Sequence, residues 1–436
     1  MGKIKQVSVV GLGKLGLCTA GCFASKGYKV IGVDIDIEKI NKINQGISPI
    51  AETGLSSLLK KVKNNFKATQ DYEEAIINSD VTFIVVATPS LADGSFSNEY
   101  LEKSVHKIGE ALKKKKGYHL VVVTSTVMPQ TTEKVVKYLL EKASRKVCGK
   151  DFGLAYNPEF IALGSVIHDF LNPDMILIGE VNKKDGDILE EIYKKTCDNQ
   201  PQFARMSTVN AEITKISLNC YVTTKITFAN SLASICEKVN GADALIVSSA
   251  LGLDSRIGSK YIRPGLGFGG PCFPRDNKAF SAFARIVETQ AKLAEMVDEV
   301  NADQILRVVN KIKTIISNLK KNKDSVRIAF FGLSYKPNTP IIEDAQALNI
   351  AELLVNEGFK IRVFDPQAME AAKSVLGDRV KYAKDAADCL SAADLAVVAV
   401  AWEEFKKIDF KGITVLDCWH CLDKTKGKKI EFLGKG

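Results

Sequence analysis

The chain opens with a strand, a glycine turn, a helix, a second strand and an acid, and this order restricts the fold more than any other feature. Val7-Ser8-Val9-Val10 is a short apolar, β-branched run. It passes into Gly11-Leu12-Gly13-Lys14-Leu15-Gly16, which opens a helical stretch. Tyr28-Lys29-Val30-Ile31-Gly32-Val33 then reads as a second strand that ends in Asp34. Further apolar runs, Val81 to Ala87 and Leu120 to Thr124, alternate with helical segments. Such runs argue a parallel sheet covered on both faces. A Gly-x-Gly-x-x-Gly pattern alone is weak evidence, but here it has its strand, its helix and its acid, so it reads as a dinucleotide cradle. The helix N-terminus would take the pyrophosphate and Asp34 the adenosine ribose hydroxyls. An acid at that place repels a 2′-phosphate, which favours NAD over NADP.

From Thr208 to Lys238 the pattern becomes long and helical, with apolar Ile213, Ile216, Leu218, Val222, Ile226 and Leu232. It reads as a helix that links domains and carries a dimer contact. Lys320-Lys321-Asn322-Lys323-Asp324-Ser325 is polar and reads as a linker. After it the opening pattern returns. Ile328-Ala329-Phe330-Phe331-Gly332 is a strand into a glycine turn, a helix covers Ala345 to Glu357, and the strand Lys360 to Phe364 ends in Asp365. Leu395 to Ala401 resembles Val81 to Ala87, each preceded by an Asp (Asp394, Asp80). The second turn lacks the full glycine pattern and is expected to be a structural echo serving another ligand. The expected fold is α/β, with two doubly wound Rossmann-like domains joined by a long central helix and a helical middle domain. The boundaries are 1–204, 205–318 and 319–436, and a chain of 436 residues suffices for domains of that size.

Composition narrows the class. At 46% apolar and 25% charged residues the chain is an ordinary globular protein, and no apolar run reaches the ~18 residues of a membrane span. Met1 to Gln6 leads straight into a strand, which reads as no signal peptide. Ten Cys without regular spacing fit reduced thiols in a cytoplasm. The net charge of +9 suits an anionic ligand such as a nucleotide. The runs Lys113 to Lys116 and Lys424 to Lys429 lack interleaved aromatics, so they read as solvated faces and no nucleic-acid partner is expected. Cys418-Trp419-His420-Cys421 is a single C-x-x-C in a chain with four His, so no metal site is expected. The same low count speaks against a His-based dehydrogenase.

The chemistry concentrates in Gly265-Leu266-Gly267-Phe268-Gly269-Gly270-Pro271-Cys272-Phe273-Pro274-Arg275-Asp276. A thiol ends a glycine-rich, flexible loop, and Arg275 and Asp276 come just after it. Glycines let backbone approach a ligand closely. A thiol beside a cation ionises more easily and attacks carbonyl carbon. With the dinucleotide cradle this suggests an oxidoreductase that holds its substrate on sulfur; the alternative is a buried structural Cys beside a tight turn. Glu159, in Tyr156-Asn157-Pro158-Glu159-Phe160, is either a base that orients water or a surface-loop acid. Lys215 and Asn219 share a helical face. They form an ammonium–amide pair that steadies an oxyanion, or else a solvated face.

Several blocks in this order carry a resemblance. They are Gly11 to Gly16 with Asp34, Ala87-Thr88-Pro89, Ser125-Thr126-Val127, Asn157 to Phe160, Lys215 with Asn219, Asp254-Ser255-Arg256-Ile257-Gly258, Gly267 to Asp276, and Tyr335-Lys336-Pro337-Asn338-Thr339. The whole chain resembles the UDP-glucose/GDP-mannose dehydrogenase family of nucleotide-sugar 6-dehydrogenases. The resemblance implies two successive hydride transfers from C6 of the sugar to two NAD molecules. Cys272 would capture the aldehyde as a thiohemiacetal, a second oxidation would give a thioester, and water would release the uronic acid. Lys215 would stabilise the oxyanion with help from Asn219, and Asp276 and Glu159 would handle protons and the hydrolytic water. Thr126 would support that water or the cofactor. Gly11, Leu12, Gly13, Lys14, Leu15, Gly16, Asp34, Lys39 and Thr88 would line the NAD site. Phe160, Tyr261, Phe268, Gly269, Tyr335 and Lys336 would contact the substrate, and Arg256 the neighbouring subunit's nucleotide sugar, which implies a homodimer. The three domains would then bind NAD, carry the dimer contact and Cys272, and bind the nucleotide sugar.

The sequence departs from the UDP-glucose pattern where Leu163 replaces a cofactor-contacting glutamate, Glu343 a further arginine, and Trp419 a nucleotide-sugar arginine. Trp419 and His420 are expected to stack on a base or cover a bulkier sugar substituent. UDP-glucose is the first substrate expected and a UDP-N-acetylhexosamine the alternative. A β-hydroxyacid dehydrogenase would need neither the Cys272 loop nor a third domain. An NAD-binding sensor without turnover would have no use for Cys272, Lys215 and Asp276 together.

Overall fold

The computed structural model describes residues 4–436; residues 1–3 of the opening stretch lie outside them. The chain divides into two compact units, 1–217 and 218–436.

The first unit is built on one sheet of eight strands: β1 (Gln6–Val10), β2 (Lys29–Val33), β3 (Phe66–Thr69), β4 (Val81–Ile84), β5 (Leu120–Val123), β6 (Gly153–Tyr156), β7 (Met175–Glu180) and β8 (Gln202–Ser207). Their order is β3-β2-β1-β4-β5-β6-β7-β8. Val10 of β1 pairs with Val33 of β2 on one side and Ile84 of β4 on the other, all parallel. Strand alternation explains the unbroken apolar runs. Val7, Val9, Val81, Phe83, Leu120 and Val122 fill the core on one face, while Val10, Ile84, Val121 and Val123 fill the other. One junction departs from the expected parallel sheet: β6 and β7 are antiparallel.

The second unit begins with helices. Thr208–Cys236 (which starts in the first unit), Ala244–Leu253, Phe273–Ile286 and Lys292–Asn318 succeed one another without a named strand between them. Six parallel strands come next: β9 (Arg327–Phe331), β10 (Lys360–Phe364), β11 (Lys381–Tyr382), β12 (Leu395–Val398), β13 (Phe410–Asp417) and β14 (Gly427–Phe432). Their order, β11-β10-β9-β12-β13-β14, repeats that of β1 to β6. Val308, Ile312 and Ile315 of the helix Lys292–Asn318 share a core with Phe330 and Phe331 of β9. The apolar runs expected to reach Ala87 and Ala401 leave their sheets at Ile84 and Val398.

The helix Thr208–Cys236 differs most from expectation. Ile213 of its apolar series is exposed, while Glu212, Lys215, Asn219, Thr223 and Asn230 are buried. Tyr221, Phe228 and Ile235, spaced by two helical turns, are 55–65% exposed. Among the described residues no helix is long and apolar enough to cross a membrane.

Candidate active site

The first unit carries the cradle. Gly11 leaves β1 at φ +94°, where a side chain is strained, and a Cβ there would lie 2.5 Å from the Val85 carbonyl oxygen. Its N–H donates to Val33 O at 2.8 Å. A Cβ on Gly16 would collide with the Gly11 carbonyl, so the third glycine lets the helix Lys14–Ser25 close on the turn. Gly13 is different. It precedes that helix in extended conformation, and a Cβ on it would meet nothing within 4 Å. The space beside Gly13 and the N–H groups of the first turn fits a pyrophosphate. The carboxylate of Asp34 accepts from Leu12 N at 2.8 Å and Asp36 N at 3.0 Å, and Lys39 Nζ stands 3.1 Å from it. Leu15 packs against the core of one sheet face and Lys14 is half-buried. Thr88 Oγ1 donates to the Thr126 carbonyl at 2.7 Å, so these two expected residues meet.

Glu159 comes after β6 and is no surface-loop acid. Tyr193, from the helix Lys183–Thr196, places its hydroxyl 2.6 Å from Asn157 Oδ1 and 3.1 Å from Glu159 Oε1. Burial pushes the Glu159 carboxyl up to about 7; the Tyr193 hydroxyl and the Lys215 cation act in the opposite direction. Lys215 is buried rather than solvated. Its ammonium donates to the Glu159 carbonyl at 2.7 Å and lies 4.6 Å from the centre of the Phe160 ring. Beside Leu163, the Glu52 carboxylate accepts from Gly164 N at 3.0 Å and Val166 N at 3.2 Å. Neither Tyr193 nor Glu52 carries a motif that would have marked it.

In the second unit Cys272 is exposed, not a buried structural thiol. It stands at the N-cap of the helix Phe273–Ile286, and its carbonyl accepts from Asp276 N at 2.9 Å. Asp276 is buried in the first turn. Asn219 Nδ2 donates to Asp276 Oδ2 at 2.6 Å, and Arg275 Nε lies 3.7 Å from Oδ1. Asn219 therefore holds a carboxylate and is not part of a solvated face. Cys220 and Thr223, on the same side of that helix, reach the Asp276 carbonyl (3.7 Å) and Asn277 Oδ1 (3.0 Å).

The glycine loop is not slack, and its close approaches are to protein. A Cβ on Gly269 would collide with the Asp344 carbonyl; one on Gly270, at φ +82°, would come 2.5 Å from the Tyr335 ring. Four side-chain amides, from Asn230, Asn301, Gln304 and Gln346, bond the backbone of Gly265 to Phe268. Gly270 N donates to the carbonyl of Glu343, whose side chain is exposed. Phe268 is buried. Lys336 Nζ lies 5.8 Å from the Tyr335 ring centre, and Tyr261 sits at φ +64° edge-on to Phe273.

The structure also places the residues of the C-x-x-C stretch and of the Lys113 to Lys116 run. Trp419 is committed within the chain: its indole N–H donates to Ala399 O at 2.8 Å and a Cβ on Gly265 would lie 2.6 Å from its ring. His420 stacks on Phe432 at 4.9 Å and contacts Leu433 O at 2.6 Å. Both residues are half-buried. Lys115, expected within a solvated run, points its ammonium at the carbonyls of Ile76 (2.7 Å), Ile77 and Ser79. Arg256 is exposed and pairs with Asp254 at 2.6 Å. Among the described residues no three His, Cys, Asp or Glu side chains are grouped to hold a metal ion.

A glycine turn at the switch point of a doubly wound sheet, with a carboxylate at the end of the next strand, is the cradle of an NAD-dependent dehydrogenase. Residues 5–197 match the NAD binding domain of the UDP-glucose/GDP-mannose dehydrogenase family, 209–303 its central domain and 329–424 its UDP binding domain. The chain belongs to this family, whose members are NAD-dependent nucleotide-sugar 6-dehydrogenases. It is 37% identical over 407 residues to the UDP-glucose 6-dehydrogenase of Haloferax volcanii, covering 93% of each chain. A solved UDP-glucose dehydrogenase from the hyperthermophilic archaeon Pyrobaculum islandicum superposes with a TM-score of 0.90 at 32% identity, over 100% of this chain and 98% of that one. A UDP-D-ManNAc dehydrogenase from Pyrococcus horikoshii superposes with a TM-score of 0.84 at 26% identity, over 99% of both chains. The three-domain architecture with a helical centre is common to the family model and the first of these structures.

Proposed function

We propose that this enzyme oxidises the C6 alcohol of a UDP-hexose, UDP-glucose foremost, to the uronic acid in two steps on one thiol. The observation that carries the reading is Cys272, an exposed thiol at a helix N-terminus, with Asp276 buried in the first turn of that helix and bonded by Asn219. The positive end of that helix favours a thiolate.

NAD, when bound, accepts one hydride from C6 in each oxidation. In the first step the alcohol loses that hydride and a proton and becomes an aldehyde. The thiolate of Cys272 then adds to the aldehyde carbon, and the resulting oxyanion is stabilised by Lys215 and Asn219. Loss of the second hydride gives the thioester, and water cleaves it to the carboxylate and the free thiol. Asp276 and Glu159 move the protons; a Glu159 carboxyl near 7 can do so in either direction at neutral pH. Asp34, Lys39, Gly11 to Gly16, Thr88 and Thr126 form the NAD site. Phe160, Tyr261, Phe268, Gly269, Tyr335 and Lys336 meet the nucleotide sugar.

The exposed row Tyr221, Phe228 and Ile235 supports a homodimer, since a helix that bares large apolar side chains along one line fits a second copy of itself. Exposed Arg256 would then reach the partner's sugar. Localisation in a cytoplasm fits the reduced thiols. The loss of the arginine at Trp419 keeps a UDP-N-acetylhexosamine in view as substrate.

The deciding experiment is Cys272→Ser. It should still bind the nucleotide sugar and lose uronate production by several orders of magnitude, because a hydroxyl is a far poorer nucleophile at neutral pH. Near-normal turnover with two NADH per sugar would refute covalent catalysis at this residue. NADH production across UDP-glucose, UDP-galactose, UDP-N-acetylglucosamine, UDP-N-acetylmannosamine and GDP-mannose identifies the sugar.

A further inference from the structure

The loop before Cys272 has almost no conformational preference of its own. Gly265, Gly267, Gly269 and Gly270 leave its torsions open, which is costly to order. A set of carboxamides drawn from three helices orders it. Asn230 accepts from Gly265 N at 2.9 Å and donates to Leu266 O at 3.1 Å. Gln304 donates to Gly265 O at 2.7 Å. Gln346 accepts from Gly267 N at 2.8 Å. Asn301 accepts from Phe268 N at 2.8 Å and returns a bond to Phe268 O at 3.0 Å, as a neighbouring strand would.

The amides are also joined. Gln346 Nε2 donates to the Asn301 carbonyl at 2.8 Å, and Arg307 Nε to Gln304 Oε1 at 2.8 Å. Asn230, Gln304 and Gln346 are buried. The clamp also explains one glycine: a Cβ on Gly267 would collide with Asn301 Oδ1 and Gln346 Nε2. Gln346 opens the helix Gln346–Asn356, in the part of the chain that matches the UDP binding domain. Asn301 and Gln304 lie on the helix Lys292–Asn318. The loop is thus gripped by neutral groups: Asn230 and Asn301 each give it a donor and an acceptor, Gln304 a donor and Gln346 an acceptor.

We propose that Asn301 and Gln346 are positioning residues for the nucleophile: their bonds to Gly267 and Phe268 fix where the thiol of Cys272 stands when the aldehyde forms, and so keep the aldehyde from escaping between the two oxidations. This rests on the reading of Cys272 as the nucleophile. A group displaced by about 1 Å loses on the order of 100-fold in rate, so freeing this loop acts on the thiol step.

The test compares Asn301→Ala, Gln346→Met and Gln346→Glu with wild type in the full chain. The expected result is a kcat lower by about 10- to 100-fold, with KM for NAD unchanged. Free aldehyde should become trappable as an oxime with hydroxylamine, and iodoacetamide should label the Cys272 peptide at a changed rate. Gln346→Glu keeps an acceptor for the Gly267 N–H and should lie between; it is the deciding variant if the truncations do not fold. A merely structural role would lower the melting temperature alone. Folded variants with wild-type kcat and no trapped aldehyde overturn the proposal, whatever the labelling rate. Cys272→Ser separates the two ideas. If it still makes uronate, the nucleophile reading fails; if it does not while the amide variants behave as wild type, only the clamp fails.

Discussion

The turns after β1 and β9 are built alike and continue differently. In each, a strand ends in a glycine at φ +94° or +96°, whose N–H donates at 2.8 Å to the end of the neighbouring strand. In each, the next residue's N–H reaches an aspartate closing that neighbour: Leu12 to Asp34 and Leu333 to Asp365, both at 2.8 Å. The difference lies in the chain just beyond each turn. After Gly11 a helix begins at once and leaves Gly13 facing open space. After Gly332 no helix begins until Gln346, and Asp365 commits its oxygens to the chain itself. It accepts from Leu333 N, Ser334 N and Oγ, Gln367 N and Ala368 N, and is 1% exposed. Asp34 holds two backbone N–H groups and the Lys39 ammonium, whereas Asp365 holds four backbone N–H groups and a hydroxyl. Shared topology supplies a switch point in both domains, and what differs is where the next helix starts.

The largest expected effect breaks or keeps this contrast. Asp365→Ala strands several buried N–H groups and should cost about 3 kcal/mol or more, since each costs roughly 1–3 kcal/mol. Asp34→Ala should cost about 1 kcal/mol. Denaturant unfolding of both variants measures this, and equal losses would erase the contrast. Next, Asp34→Ala should raise KM for NAD about 10- to 100-fold, as loss of a charge-assisted bond does. KM for NADP should change little, so the preference for NAD narrows; equal use of both cofactors by wild type would remove Asp34 as the selector. Smaller still, Gly13→Ala should shift stability by no more than about 0.5 kcal/mol, as for substitutions away from packed features. It should weaken NAD binding, because its methyl enters the open space. A large loss of stability would mean that Gly13 serves packing, as Gly16 does.

The last prediction concerns pH. The fold raises Glu159 from 4.5 to about 7, so it favours the protonated form. Its contribution to stability is complete below about 4.5 and is lost as pH rises through about 7. Glu159→Gln should flatten both that slope and the limb of the rate profile near 7. An unaltered limb in the Gln variant would assign it to another group.

Much of this is legible in the chain. The apolar runs at Val7 and Val81 show both faces of their strands buried, and two aspartates after two glycine turns show the repeat. Cys272, Asp276, Lys215 and Asn219 stand out by spacing. The clamp does not, because Asn230, Asn301, Gln304 and Gln346 are scattered amides that meet only when three helices fold around the loop. Glu159 takes a hydrogen bond from Tyr193, which no local pattern joins to it. The helix Thr208–Cys236 misleads for a physical reason: Lys and Asn on a helix ordinarily mark its wet side, and here Lys215, Asn219 and Asn230 are buried beside Ile216 and Ala229.

The carboxamides around Gly265 to Phe268 have one further consequence. An amide neither gains nor loses a proton over the range in which enzymes work. The loop that presents the thiol is therefore insulated from acidity, while the acid–base groups stay responsive. Rebuilding the surroundings of Glu159 should therefore move its limb of the rate profile while leaving the geometry of the sulfur as it is.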